Sequence, residues 1–109
     1  MDARLPALAD QLLLIERELR LLGWWGSVMP AEERLASQEP FCLDSLALEE
    51  WLQWIFLPRM KAIIEQGVGL PGACAIQPMA EQSWRAEGAR VAALLALLAE
   101  FDRLINTAA

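Results

Sequence analysis

The stretch Ser45-Leu46-Ala47-Leu48-Glu49-Glu50-Trp51-Leu52-Gln53-Trp54-Ile55-Phe56-Leu57-Pro58-Arg59-Met60 decides the fold class. Between Trp51 and Leu57 only Gln53 is polar, and a helix that is apolar almost all round is buried on most sides. The stretch therefore predicts a central helix over 45–66, with 46–57 its most buried part. Asp44 or Ser45 is the expected N-cap, and Glu49 and Glu50 fall in the first turn, where the helix dipole favours acids. Pro58 removes one amide and leaves the Trp54 carbonyl without its helical partner, so a kink or break is expected there. Gly67 ends the helix.

The neighbours of this helix are helices too. Leu5, Leu8, Leu12, Ile15, Leu19 and Leu22 step by three and four, predicting an amphipathic helix over 3–22 that Gly23 stops. Glu16 and Arg20 form an i,i+4 pair on its outer side. Trp24 and Trp25 follow at once, with rings expected to fold back over the helix end. Residues 26–44 read as a long loop with one helical turn near 31–36, pinned by Phe41 and Leu43. After a Gly- and Pro-rich loop at 67–77, Gln77-Pro78 fits an N-cap and first helical position for a short helix over 78–86. Gly88 suggests a break. A last helix over 88–106 has Val91, Leu94, Leu98, Phe101 and Ile105 as its seam, and Asn106 ends it. No strand pattern or repeat interrupts this series. The expectation is an all-α compact bundle of about four helices, one domain over 1–109, kinked or broken near Pro58.

Composition bounds the function. The 109 residues are 56% hydrophobic and carry a net charge of −6, with 15 acids against 9 bases. No third of the chain is basic, and a nucleic-acid binder needs a cationic face to displace counterions from phosphates. The isolated protein is therefore not expected to hold RNA or DNA tightly at physiological salt. The N-terminus lacks the basic-then-apolar layout of a signal peptide. The longest strictly apolar run, Val91–Ala99, is far short of the ~20 residues of a membrane helix. A cytoplasmic setting is expected, with Cys42 and Cys74 reduced and acting as small buried hydrophobes.

Catalytic constellations are missing. The chain has no histidine, so Ser-His-Asp and Cys-His systems and the common zinc sets fail. Gly67, Gly69 and Gly72 match G-x-G-x-x-G in form, but a helix precedes them and Pro71 sits inside, so the dinucleotide reading is rejected. Glu32/Glu33 and Glu49/Glu50 are adjacent pairs, pointing about 100° apart on a helix, and make no shared-proton dyad. No enzymatic activity, metal or cofactor is expected.

What stands out is aromatic. Five tryptophans occur with no tyrosine. Trp51 and Trp54 stand three apart and share a helix face, either filling the core or contacting a partner, since tryptophan dominates interface hot spots. Glu50, Gln53 and Arg59 are their polar neighbours. Arg59 either donates to the carbonyl that Pro58 strands or faces a ligand carboxylate or phosphate.

The run Glu50-Trp51-Leu52-Gln53-Trp54, then Pro58-Arg59-Met60, with Leu70-Pro71-Gly72 and Pro78 downstream, resembles the YqcC-like family of small bacterial helical proteins. The resemblance spans nearly the whole chain. It implies a bundle of about four helices without enzymatic activity. It also implies an accessory role, because members tend to be encoded beside a tRNA pseudouridine synthase. An acidic domain without a basic face suits docking on a basic RNA-binding enzyme rather than on the RNA itself. The expectation is an interaction protein whose partner- or ligand-binding residues are Glu50, Trp51, Gln53, Trp54 and Arg59. The alternative is a small-molecule-binding bundle with a pocket between the central helix and the 67–77 loop. A homodimer that hides the apolar excess is compatible with either.

Overall fold

Helix α1 (Leu5–Leu21) buries Leu5, Leu8, Leu12, Ile15 and Leu19, the stripe its spacing predicts. The computed structural model describes residues 3–31, 47–67, 69–70 and 72–107. The turn expected near 31–36, the anchors Phe41 and Leu43, and the caps Asp44 and Ser45 lie outside them or, for Ala31, show no helix.

The end of α1 follows from Gly23. Its φ of 78° is the left-handed conformation that glycine adopts without a Cβ penalty. That geometry lets the Gly23 amide reach the Arg20 carbonyl (3.1 Å) and the Trp24 amide reach the Leu19 carbonyl (2.9 Å). This pair of bonds closes a helix C-terminus as a Schellman motif.

The central helix runs from α2 (Leu48–Trp51) through a π-helical turn (Leu52–Phe56) into α3 (Leu57–Gln66). Its described start is later than expected, with Ala47 as the N-cap residue. Alanine has no capping oxygen, and the Glu50 carboxylate accepts the Ala47 amide at 3.0 Å instead. Five of the seven residues from Trp51 to Leu57 are buried, which makes this the most continuously buried stretch among the described residues.

The irregularity expected at Pro58 is the π turn. The Leu57 amide reaches back five residues, to the Leu52 carbonyl, while the backbone at Trp51, Leu52, Phe56 and Leu57 stays right-handed helical. Widening the turn before the proline changes the four-residue register in which its ring would meet the Trp54 carbonyl, so the helix continues through Pro58.

Helix α4 (Ile76–Ser83) begins two residues before the expected start, so Gln77 is inside the helix rather than its cap. The cap comes from afar. The buried Asp102 carboxylate accepts the Ile76 amide at 3.0 Å and the Gln77 amide at 2.8 Å. Residues Arg85–Val91 form a 3₁₀ segment in which Gly88, at φ 64° and ψ −142°, leaves helical geometry. The last helix, α5 (Ala92–Asn106), therefore starts four residues later than the periodicity suggests. Its seam Leu94, Leu98, Phe101 and Ile105 is buried as expected.

Helix α5 packs on α1 and α4, and α1 packs on α3. Arg4 joins the chain ends by donating to the carbonyls of Leu104, Ile105 and Thr107 at 2.8–3.0 Å, a cation on the negative end of α5. No strand occurs among the described residues, and the radius of gyration is 13.8 Å, near the roughly 13 Å of a compact chain this long. The chain is an all-α bundle. No described helix is long and apolar enough to cross a membrane.

Candidate functional site

Phe56, Met60 and Ile63 recur at i, i+4 and i+7 and form one face of the central helix. The segment lying over this face presents Ala73, Cys74 and Ala75, whose small side chains cannot fill the space. The result is a groove of about 630 Å³, floored by Trp51, Phe56 and Phe101 and walled by Met60 and Ile63. Arg59 stands among the lining residues as the one charged side chain. It is exposed and makes no ion pair or hydrogen bond among the described residues. Of the two alternatives for Arg59, donation to the carbonyl that Pro58 strands finds no hydrogen bond among the described residues.

Two side chains hold the loop wall. The Asn106 amide group accepts the Cys74 amide at 2.9 Å and donates to the Cys74 carbonyl at 2.8 Å, as a backbone partner would. Asp102 fixes the start of α4 just beyond it. Replacing Asp102 by alanine strands two amides, one of them buried, and should destabilise the fold by about 2–3 kcal/mol. Urea unfolding checks this, with Asn106→Ala, at an exposed clamp, expected to cost clearly less.

Cys74 sits half-buried in this loop wall with its thiol pushed up to about 12, by burial first and then by its hydrogen bond to Asp102 and that carboxylate's charge. The raised value means the neutral thiol belongs to the folded state. Its contribution is complete below the ordinary value of 9.0 and is lost as pH rises toward 12. In a Cys42→Ser background, iodoacetamide at pH 8 should modify folded Cys74 at least about tenfold more slowly than the urea-unfolded chain, because the smaller thiolate fraction outweighs the higher nucleophilicity of a high-pKa thiolate. Equal rates in the two states would refute the assignment.

The five residues singled out from the sequence fall in three places. Trp51 and Arg59 line the groove above. Gln53 and Trp54 line a second groove, of about 660 Å³, between the end of α1 and the central helix. Glu50 lines neither and holds the Ala47 amide. Trp51 and Trp54 therefore do not share a face. Three α-helical steps of about 100° put side chains roughly 60° apart. The π turn rotates less per step and opens that angle, sending Trp51 into the core and leaving Trp54 half-buried on another side.

Gln53 is buried and its amide clamps Gly26, accepting the Gly26 amide at 2.8 Å and donating to its carbonyl at 2.7 Å. This ties the segment after α1 to the central helix. Trp84 and Glu49, outside both sets, form a further link: the buried Trp84 indole donates to the Glu49 carboxylate at 3.1 Å and packs on Trp24 at 5.0 Å. Sequence reasoning missed Cys74, Asn106 and Asp102, whose roles depend on partners 25 to 32 residues away. Among the described residues no group of three or more His, Cys, Asp or Glu could hold a metal ion.

Known proteins place the chain. YqcC, an uncharacterized protein of Escherichia coli K12, is 34% identical over 94 residues, 86% of each protein. The solution NMR structure of YqcC matches with a TM-score of 0.86 at 30% identity, covering 99% of this chain and 92% of that one. An uncharacterized protein of Haemophilus influenzae is 39% identical over 97 residues, 89% of this chain and 88% of the relative. A 57-residue stretch, 52% of this chain, is 53% identical to part of a Pectobacterium carotovorum protein named tRNA pseudouridine synthase C, of which it covers 15%. The family model described as tRNA pseudouridine synthase C matches residues 7–104. With the all-α fold and this match over nearly the whole length, the chain belongs to the YqcC-like DUF446 family.

Proposed function

We propose that the chain is a non-enzymatic accessory protein that docks on a tRNA pseudouridine synthase through the groove beside Arg59. The observation that carries this is one of continuity: a stretch 53% identical to half of this chain lies inside a longer protein named for that synthase. A segment that lies within a protein named as that synthase in Pectobacterium carotovorum, and on the short YqcC chain in Escherichia coli, is what two cooperating parts look like. The groove supplies a fitting surface, with an apolar floor that includes a tryptophan and an arginine at its edge, the residue types that dominate interface hot spots. The net charge of −6 favours association with an enzyme whose RNA-binding face is basic.

The test uses the purified chain and the purified tRNA pseudouridine synthase C of the same cell, mixed and run on size exclusion with light scattering. A stoichiometric complex supports the reading, and independent elution at tens of micromolar of each, about the range of weak specific association, overturns it. A second reading has one observation in its favour. About 630 Å³ lies within the roughly 300–1,000 Å³ of small-molecule pockets. Native mass spectrometry of the protein as it comes from cells, showing one retained apolar anion and no affinity for the synthase, would favour a ligand-binding bundle.

A further inference from the structure

The second groove has a chemistry that the docking reading leaves unused. Arg20 on α1 and Lys61 on α3 reach the same carboxylate: Glu16 accepts Arg20 Nη2 at 3.1 Å and Lys61 Nζ at 3.3 Å. One acid thus gathers two cations from two helices at one rim, leaving a local excess of positive charge in a chain of net −6. Both cations keep about half of their side-chain surface exposed, 56% for Arg20 and 45% for Lys61, and so can still face a ligand.

The walls of this groove are aromatic. Trp25 and Trp54 both line it, each half-buried, with Pro58 between Trp54 and Lys61 along the central helix. The Arg20 guanidinium lies 4.5 Å from the Trp25 ring centre and covers one face of that indole. The Gln53 clamp on Gly26 fixes the Trp25 segment beside the central helix, so the site is formed before anything binds.

We propose that this groove binds one nucleotide unit of an RNA strand, with the base stacked against Trp54 and the phosphate held by Arg20 and Lys61. Paired cations alone would suit any phosphate, and tryptophan alone any flat apolar ring. Their combination in one groove of about 660 Å³ favours a ligand that carries both, as a nucleotide does and a polyglutamate chain does not. The acid excess still opposes tight RNA binding by the free protein. One phosphate contact and one stacked base give affinity near the millimolar range, which matters only once a partner has brought the RNA close. The biological setting rests on the proposed partnership with a tRNA-modifying enzyme, whereas the site itself is testable without it.

The experiment is a ¹⁵N NMR titration of the whole chain at low salt, reading the indole N–H signals of Trp25 and Trp54. The probes are uridine 5′-monophosphate, uridine, inorganic phosphate and a hexaglutamate peptide. The nucleotide should shift both indole signals with a Kd of about 1 mM, and uridine or phosphate should bind at least about tenfold more weakly. The Arg20→Gln/Lys61→Gln double variant should lose about tenfold in nucleotide affinity, and Trp54→Leu should also weaken it, each with an unchanged fold by circular dichroism. Equal binding of phosphate and nucleotide would reduce the site to an anion contact and overturn the proposal. Tighter binding of the peptide, or indole signals unmoved by the nucleotide, would overturn it as well. If the double variant still forms the complex with the synthase while the nucleotide fails to bind, only this inference falls. If neither variant nor wild type forms that complex but the nucleotide binds as stated, the site stands without its proposed partner.

Discussion

Replacing Arg59 by glutamate should abolish the complex with the tRNA pseudouridine synthase and leave the thermal unfolding transition where it is. The second half follows from the geometry. Arg59 is exposed and makes no ion pair or hydrogen bond among the described residues, so its removal strands nothing. Surface substitutions of that kind change stability by about 0.5 kcal/mol or less. The first half follows from its position. Arg59 is the charged residue lining a groove floored by Trp51, Phe56 and Phe101 and walled by Met60 and Ile63, so a carboxylate of the partner has this cation to meet as the apolar contact closes. Truncating a hot-spot arginine costs at least ~2 kcal/mol, about thirtyfold in Kd, and reversing its charge adds repulsion. Arg85→Glu makes the same change of net charge at an exposed position outside the groove lining. If both variants weaken the complex equally, net charge acts and the groove does not. If Arg59→Glu binds as wild type does, the groove is not the docking surface.

Phe101→Ala should have the largest effect on folding, with about 3–5 kcal/mol lost. Phe101 is 1% exposed on α5 and meets the Phe56 ring edge-on at 5.0 Å. Phe56 in turn stacks near Trp51 at 5.3 Å, so the three rings form the floor that joins the central helix to α5. Deleting the ring removes the contact between these elements and leaves a void that opens into the groove. Met60 is flexible enough to fall part of the way in, which favours the lower half of the range. A domain of this size would lose on the order of 15 °C in Tm. Differential scanning calorimetry decides it, and a loss of under about 5 °C would mean that Phe101 is not a core residue.

The elements whose information is local were legible from the residues. The leucine stripe of α1, the apolar run of the central helix and the seam of α5 each state which face is buried, because periodicity is a property of a single helix. Gly23 and Gly88 fixed the ends of elements through their own backbone freedom. The block from Trp51 to Arg59, together with the loop after Gly67, pointed to the region where the groove beside Arg59 lies. Boundaries that depend on distant partners were read wrongly. Helix α4 starts two residues early because Asp102 reaches it from α5, and nothing near Gln77 announces that carboxylate.

The sequence by itself determined that this is an acidic helical bundle, that its centre is the helix around Leu52, and that no histidine-based chemistry is available to it. Tertiary structure alone decided how the marked residues divide. Pro58 demanded a departure from α-helical bonding, but whether the chain would break, kink or widen depended on what packs around it. The widened π turn was the outcome, since it keeps Leu52, Phe56 and Leu57 buried while easing the clash of the Pro58 ring with the preceding turn. That turn also separated Trp51 from Trp54, setting one in the floor of an apolar groove and the other beside two cations. A sequence lists side chains along one axis. Which of them face the same space is settled only when α1, the central helix and α5 pack, because each groove draws its lining from more than one element.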